Sequence, residues 1–147
     1  MDKNSFLISL SESEQTDCGR IDFDQQSEPQ KVFSAIWALE SQINNGGFAQ
    51  YFESFDGETA NFAPAALRAI EAHKCADIVQ RALRAVSTDA LPASAEDRER
   101  ILGGLPETAR EELDALDQEF FAYPDNLTEL LFAYVAARRD TFGRIPE

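Results

Sequence analysis

Histidine, cysteine and cationic side chains are scarce in this chain, and each shortage closes off a kind of chemistry. One histidine, His73, and two cysteines, Cys18 and Cys75, cannot supply a four-ligand Cys/His zinc site, and their spacing offers no disulfide framework. That cysteine usage fits a reduced, cytoplasmic protein. Lys and Arg total 13 against 27 Asp and Glu, a formal charge of −14 that opposes direct nucleic-acid binding and suits a basic partner. No apolar run is long enough to span a membrane, and the run Phe6-Leu7-Ile8, broken at Ser9 and followed by Glu12 and Glu14, falls short of a signal peptide. Repeats and low-complexity tracts are missing. So are a phosphate-cradling loop, a metal-ligand set and a nucleophile with its base, so no catalytic residue, metal or cofactor is expected, and an interaction protein is favoured over an enzyme. What is present is bulk: 147 residues, 44% hydrophobic with eleven Phe, enough for the core of one domain.

Val32, Phe33, Ile36, Trp37, Leu39 and Ile43 recur at helical spacing, and the polar stretch that follows carries the sharpest pattern in the chain. The helix is expected to stop near Asn44. Asn45, Gly46 and Gly47 accept positive φ, so the backbone can reverse there and let Phe48, Tyr51, Phe52 and Phe55 begin a second apolar helix. The expected product is a tight helical hairpin.

Glu40 falls on the apolar side of the first arm, between Ile36 and Phe33 at about 100° per residue, and a carboxylate there needs donors. Two readings stand. In the structural one, backbone N–H groups at Gly46-Gly47 or the next helix start, with Asn44 or Gln50, satisfy it, and Glu40→Gln then costs on the order of 1.5–3 kcal/mol. In the functional one, Glu40 is an acid or base with a pKa raised by burial, in a small-molecule pocket shared with Asn44, Gln50 and Tyr51.

The residues Glu40, Asn44, Asn45, Gly46, Gly47, Phe48, Gln50 and Tyr51 spell Glu-x3-Asn-Asn-Gly-Gly-Phe-x-Gln-Tyr. This resembles a family of small bacterial proteins, grouped as a domain of unknown function, and a looser pattern of Ala/Leu-rich and aromatic-rich helices extends the likeness over most of residues 28–142. A member of that family acts as a DNA mimic, presenting acidic side chains to a DNA-binding transcription factor. The resemblance therefore implies a protein partner of that kind for this chain, and suggests a homodimer.

Along the chain, residues 1–27 read as an acidic N-terminal segment, partly docked through Phe6, Leu7, Ile8 and Leu10, and residues 28–147 as a single all-α domain. Ser27 with Gln30, Ser94 with Asp97, and Asn126 with Glu129 have helix-capping spacing. Pro64 and Pro106 suit first turns, Gly103-Gly104 is a break, and Gly143 is the expected end of the last helix. Leu67, Ile70, Ile78, Val79, Leu83 and Val86 form the inward face of one long segment with a bend near His73.

Charge is uneven: residues 91–120 hold nine acids and three arginines, a local net of −6, whereas residues 61–90 hold three acids and four Lys or Arg. On the helix from Pro106, Ala109, Leu113, Leu116 and Phe120 take one side and Glu107, Glu111 and Asp114 make a row on the other, widened by Glu112, Asp117 and Glu119. Carboxylates in such a row rise by roughly 4.5–6 Å, comparable to the roughly 3.4 Å charge spacing of a DNA strand. Glu96, Asp97 and Glu99 extend the patch, while Arg98, Arg100 and Arg110 interrupt it. The same arrangement also describes an ordinary solvated helix whose early acids suit the helix dipole.

Overall fold

At Ser27 the chain turns from extended backbone into its longest helix. The backbone N–H of Ser27 donates to Gln30 Oε1 at 3.0 Å and Pro29 lies in the first turn, so the helix opens where the capping spacing placed it. In the computed structural model, which describes residues 3–12 and 22–142, this helix is α2, Glu28–Glu53, preceded by α1, Lys3–Glu12. Next come α3, Ala63–Ala69; α4, His73–Val86; α5, Ala95–Gly103; α6, Glu107–Phe121; and α7, Leu127–Ala136. Short 3-10 turns cover Phe23–Gln25, Phe55–Thr59 and Arg139–Phe142, and no strand occurs among the described residues. The fold is all-α. Cys18 and Gly143 lie outside the described residues, and the last helix, expected to reach Gly143, ends at Ala136.

Helix α2 occupies the middle, with α3, α5, α6 and α7 against it, α4 bridging α3 and α6, and α1 lying on α7. Val32, Phe33, Ile36, Leu39 and Ile43 of its first arm are buried, as are Phe48, Tyr51 and Phe52 of its second. The two arms meet at a kink instead of a loop: helical backbone runs past Asn44 to Asn45, then Gly46 (φ −161°) and Gly47 (φ 80°) leave the helical region. The second arm is short and ends at Glu53, with Ser54 in extended backbone. Phe55, expected on its apolar face, therefore falls in the following 3-10 turn and is 81% exposed.

The segment expected to bend near His73 breaks completely into α3 and α4. Glu71 adopts φ 67°, Ala72 N–H donates to Leu67 O at 2.8 Å and Glu71 N–H to Arg68 O at 2.9 Å. These two bonds are the Schellman arrangement that closes helix C-termini, with glutamate where glycine usually sits. Gly103 and Gly104 end α5, and Asn126 Oδ1 accepts from Glu129 N–H at 3.2 Å to start α7. Phe6, Leu7 and Leu10 bury α1 in the common core, and Lys3 pairs with Glu129 of α7. No helix among the described residues is long and apolar enough to cross a membrane.

Candidate functional site

The kink in α2 frees a backbone donor, and α6 supplies its acceptor. Phe48 N–H donates to Asp117 Oδ1 at 2.8 Å, and a Cβ on Gly47 would lie 2.4 Å from Asp117 Oδ2. Gly47 is thus required twice, by its left-handed φ and by this close approach. Burial raises the Asp117 carboxyl above its ordinary range, the Phe48 bond opposes that shift, and Asp114 adds to it. Asp117 is half-buried and committed to the kink, so it is not a member of the outward row.

Glu40 does not receive the turn's backbone N–H groups. Tyr123 donates its hydroxyl to Glu40 Oε2 at 3.0 Å and accepts from Asn44 Nδ2 at 2.8 Å, so one tyrosine from the α6–α7 connection joins two motif residues. Gln50 instead donates to Gln42 Oε1 at 2.9 Å, and the Tyr51 hydroxyl pairs with Thr59 Oγ1 at 2.6 Å. A cavity of about 140 Å³ adjoins Glu40, lined by Leu7, Trp37, Ser41, Asn44 and Thr128. Neither Gln50 nor Tyr51 reaches it. The motif therefore divides: Phe48 and Tyr51 enter the core, Gly46 and Gly47 make the kink, Asn45 is exposed, and only Glu40 and Asn44 share the cavity.

Burial pushes Glu40 up from its ordinary carboxyl value, with the Tyr123 bond pulling it partly back. Glu58 and Asp117 are shifted in the same direction, each chiefly by burial. A raised folded-state pKa means stability that is fully present below the unfolded value and lost as pH rises through the folded one. Thermal melts should accordingly show Tm increasing as pH falls from 7.5 toward 5. Glu40→Gln, whose amide oxygen can still accept from Tyr123, should flatten that rise. An unaltered pH slope in the variant would show that Glu40 does not contribute to it.

Helix α6 packs on α2 and α4 through Ala109, Leu113, Leu116 and Phe120, all buried. Glu107, Glu111, Glu112 and Asp114 are exposed and make no ion pair among the described residues. Glu119 is also exposed but is held by Arg81, whose Nη2 and Nη1 donate at 2.8 and 3.1 Å; this pair lowers the Glu119 carboxyl and raises Arg81. On α5, Asp97 N–H is capped by Ser94 Oγ at 3.4 Å, and Glu96 and Asp97 both face Arg100, at 3.8 and 2.9 Å. Glu99 is exposed. Among the described residues, Glu107, Glu111, Glu112 and Asp114 are therefore the α6 carboxylates that are exposed and without an ion pair.

The arginines that interrupt this region in sequence have other commitments. Arg110 donates to Leu102 O at 3.0 Å, at the end of α5. Arg98 is 1% exposed: its Nε donates to Phe52 O at 2.7 Å, Nη2 to Ser54 O at 2.9 Å, and Nη1 to Pro92 O and Ala93 O at 2.9 and 2.6 Å. Phe52 and Ser54 end α2, where carbonyls lack helical partners and the helix dipole is negative. Gly57 makes room, since a Cβ there would meet Arg98 Nε at 2.6 Å. Among the described residues no three of His, Cys, Asp or Glu gather as metal ligands would.

Fold and surface together define an all-α acidic domain in which α6 turns Glu107, Glu111, Glu112 and Asp114 outward and Asp117 inward. The chain belongs to the DMP19-like protein family, whose model matches residues 24–138, a span that contains the whole of the motif at residues 40–51. No curated protein and no solved structure matches it.

Proposed function

We propose that this chain is an acidic interaction protein that mimics DNA and occupies the DNA-binding surface of a transcription factor or another basic protein. The observation that carries this reading is the row Glu107, Glu111 and Asp114, exposed and without an ion pair among the described residues, widened by Glu112, on a helix whose opposite side is fixed in the core. Carboxylates carried along one face of a packed helix can stand in for phosphates, because Arg and Lys of a DNA-binding protein form charge-assisted bonds with either. The family membership and the resemblance to a family with a DNA-mimic member support the same reading. Arg98 is buried and lies off this face, whereas Arg110, exposed on α6 three residues after Glu107 and four before Asp114, donates to Leu102 O and keeps its charge beside the row.

A small-molecule function centred on Glu40 is less well supported. The adjoining space of about 140 Å³ is below the roughly 300–1,000 Å³ of ligand pockets, and Gln50 and Tyr51 are engaged elsewhere. The test of the mimic reading is capture from a bacterial lysate on immobilised protein at low and high ionic strength. A DNA-binding protein should be retained at low salt and released as screening increases. Retention of none under either condition contradicts the proposal.

A further inference from the structure

Away from α6, a cleft of about 490 Å³ opens between the first arm of α2 and the 3-10 turns at Phe23–Gln25 and Phe55–Thr59. Phe23 and Trp37 give it aromatic walls, and Phe55, 81% exposed, lines it from the second turn. Asp22, Asp56 and Glu58 add negative charge to the same cleft. A phenylalanine ring left this open to water gains nothing for the isolated fold, and such rings beside polar rims mark binding surfaces.

The three carboxylates make no ion pair among the described residues. Asp56 accepts only a neutral donor, Gln42 Nε2 at 3.0 Å, and the Arg98 guanidinium is spent on four backbone carbonyls. Burial and then Asp24 push the Glu58 carboxyl upward, Arg98 opposes them, and Asp56 and Asp22 add to the rise. Aromatic faces and carboxylates together select an organic cation, which interacts with ring quadrupoles while its apolar stem lies along the walls. The Phe23 ring already accepts one cation, Lys31 Nζ, which sits 5.6 Å from its centre.

We propose that this cleft receives an arginine side chain presented by a partner polypeptide, at a site separate from the α6 row. A polypeptide is favoured over a free polyamine because Phe55 offers apolar contact to a residue flanking the cation, and a bare diamine has nothing to cover that ring. The proposal does not depend on DNA mimicry.

Trp37 is the only tryptophan in the chain and lines both this cleft and the Glu40 cavity, so its fluorescence reports binding and the Asp56, Glu58 and Phe55 variants assign it to the cleft. The full-length protein should show a saturable change on titration with acetyl-Leu-Arg-Leu-amide, and at least about tenfold weaker binding of the peptide with neutral citrulline in place of arginine. The double variant Asp56→Asn/Glu58→Gln should also bind about tenfold more weakly or worse. Phe55→Ala, at a position too exposed to carry the fold, should weaken binding several-fold. Reversing the charges of Glu107, Glu111 and Asp114 should leave the titration unchanged, which separates this site from the proposed DNA-mimic surface. Absence of saturation, equal binding of the citrulline peptide, wild-type affinity in the Phe55→Ala protein, or tighter binding of putrescine than of the arginine peptide would each overturn the proposal.

Discussion

Replacing Glu107, Glu111 and Asp114 together by lysine is expected to abolish binding to the proposed basic partner while leaving the fold intact. All three side chains point into solvent from a helix held by Ala109, Leu113, Leu116 and Phe120 on its other side, so no packing is disturbed. Each reversal removes an attraction and adds a repulsion at the point where a cationic surface would approach, and like charges opposed across an interface are strongly unfavourable. The loss should be at least about 100-fold in Kd, with the thermal melt close to that of the wild type. The variant also lowers overall negative charge, so part of any loss could be long-range. Reversing Glu28, Glu53 and Asp140, three exposed acids on other elements, changes net charge equally and should retain most of the affinity. Equal losses in the two triple variants would remove α6 from the interface.

Arg98→Met should be the most damaging single substitution for stability among the charged residues. The guanidinium is 1% exposed and donates to four carbonyls drawn from the end of α2 and from the segment before α5. Methionine fills much of the same space but leaves those acceptors unsatisfied in the core, a cost on the order of 3–5 kcal/mol. For a domain of this size that corresponds to a fall in Tm of about 10–15 °C. Arg98→Lys should recover less than half of the loss, because one ammonium cannot match a planar fork whose acceptors lie on several sides. Melts followed by circular dichroism would decide. A Tm within about 2 °C of wild type for Arg98→Met would show that water or backbone adjustment satisfies the carbonyls instead.

The parts of this fold that could be read from sequence depend on residues three or four positions apart. Ser27 with Gln30, Ser94 with Asp97, and Asn126 with Glu129 each settle a helix start through one local bond, and each helix begins there. The end of α3 was not legible, because Glu71 occupies a left-handed position for which glycine is the usual marker. Tyr123 was equally hidden. Its link to Glu40 and Asn44 spans about half the chain and depends on how α6 and α7 are placed.

Two misread residues did leave a signal. Asp117 is four positions after Leu113 and three before Phe120, which puts it on the packed side of α6 by the same geometry that singled out Glu40. Arg98 lies one turn before buried Leu102 on α5, so its spacing also pointed inward. Both were grouped with their surface neighbours because charged residues are seldom buried. That prior fails where a kinked helix or a helix end leaves backbone groups in need of partners. The exposure of Glu107, Glu111 and Asp114 on the side of α6 opposite its core residues follows helical periodicity. Which α6 carboxylates are paired was not legible, since Arg81 reaches Glu119 from a different helix.

The most direct measurement of DNA mimicry is competition for a captured DNA-binding protein between this chain and that protein's own duplex site, followed by fluorescence anisotropy of labelled DNA at several salt concentrations. The chain should displace the duplex in a concentration-dependent manner, with displacement weakening as salt rises and vanishing for the Glu107→Lys/Glu111→Lys/Asp114→Lys variant. A ternary complex, in which the protein holds duplex and chain together with undiminished affinity for each, would contradict the account.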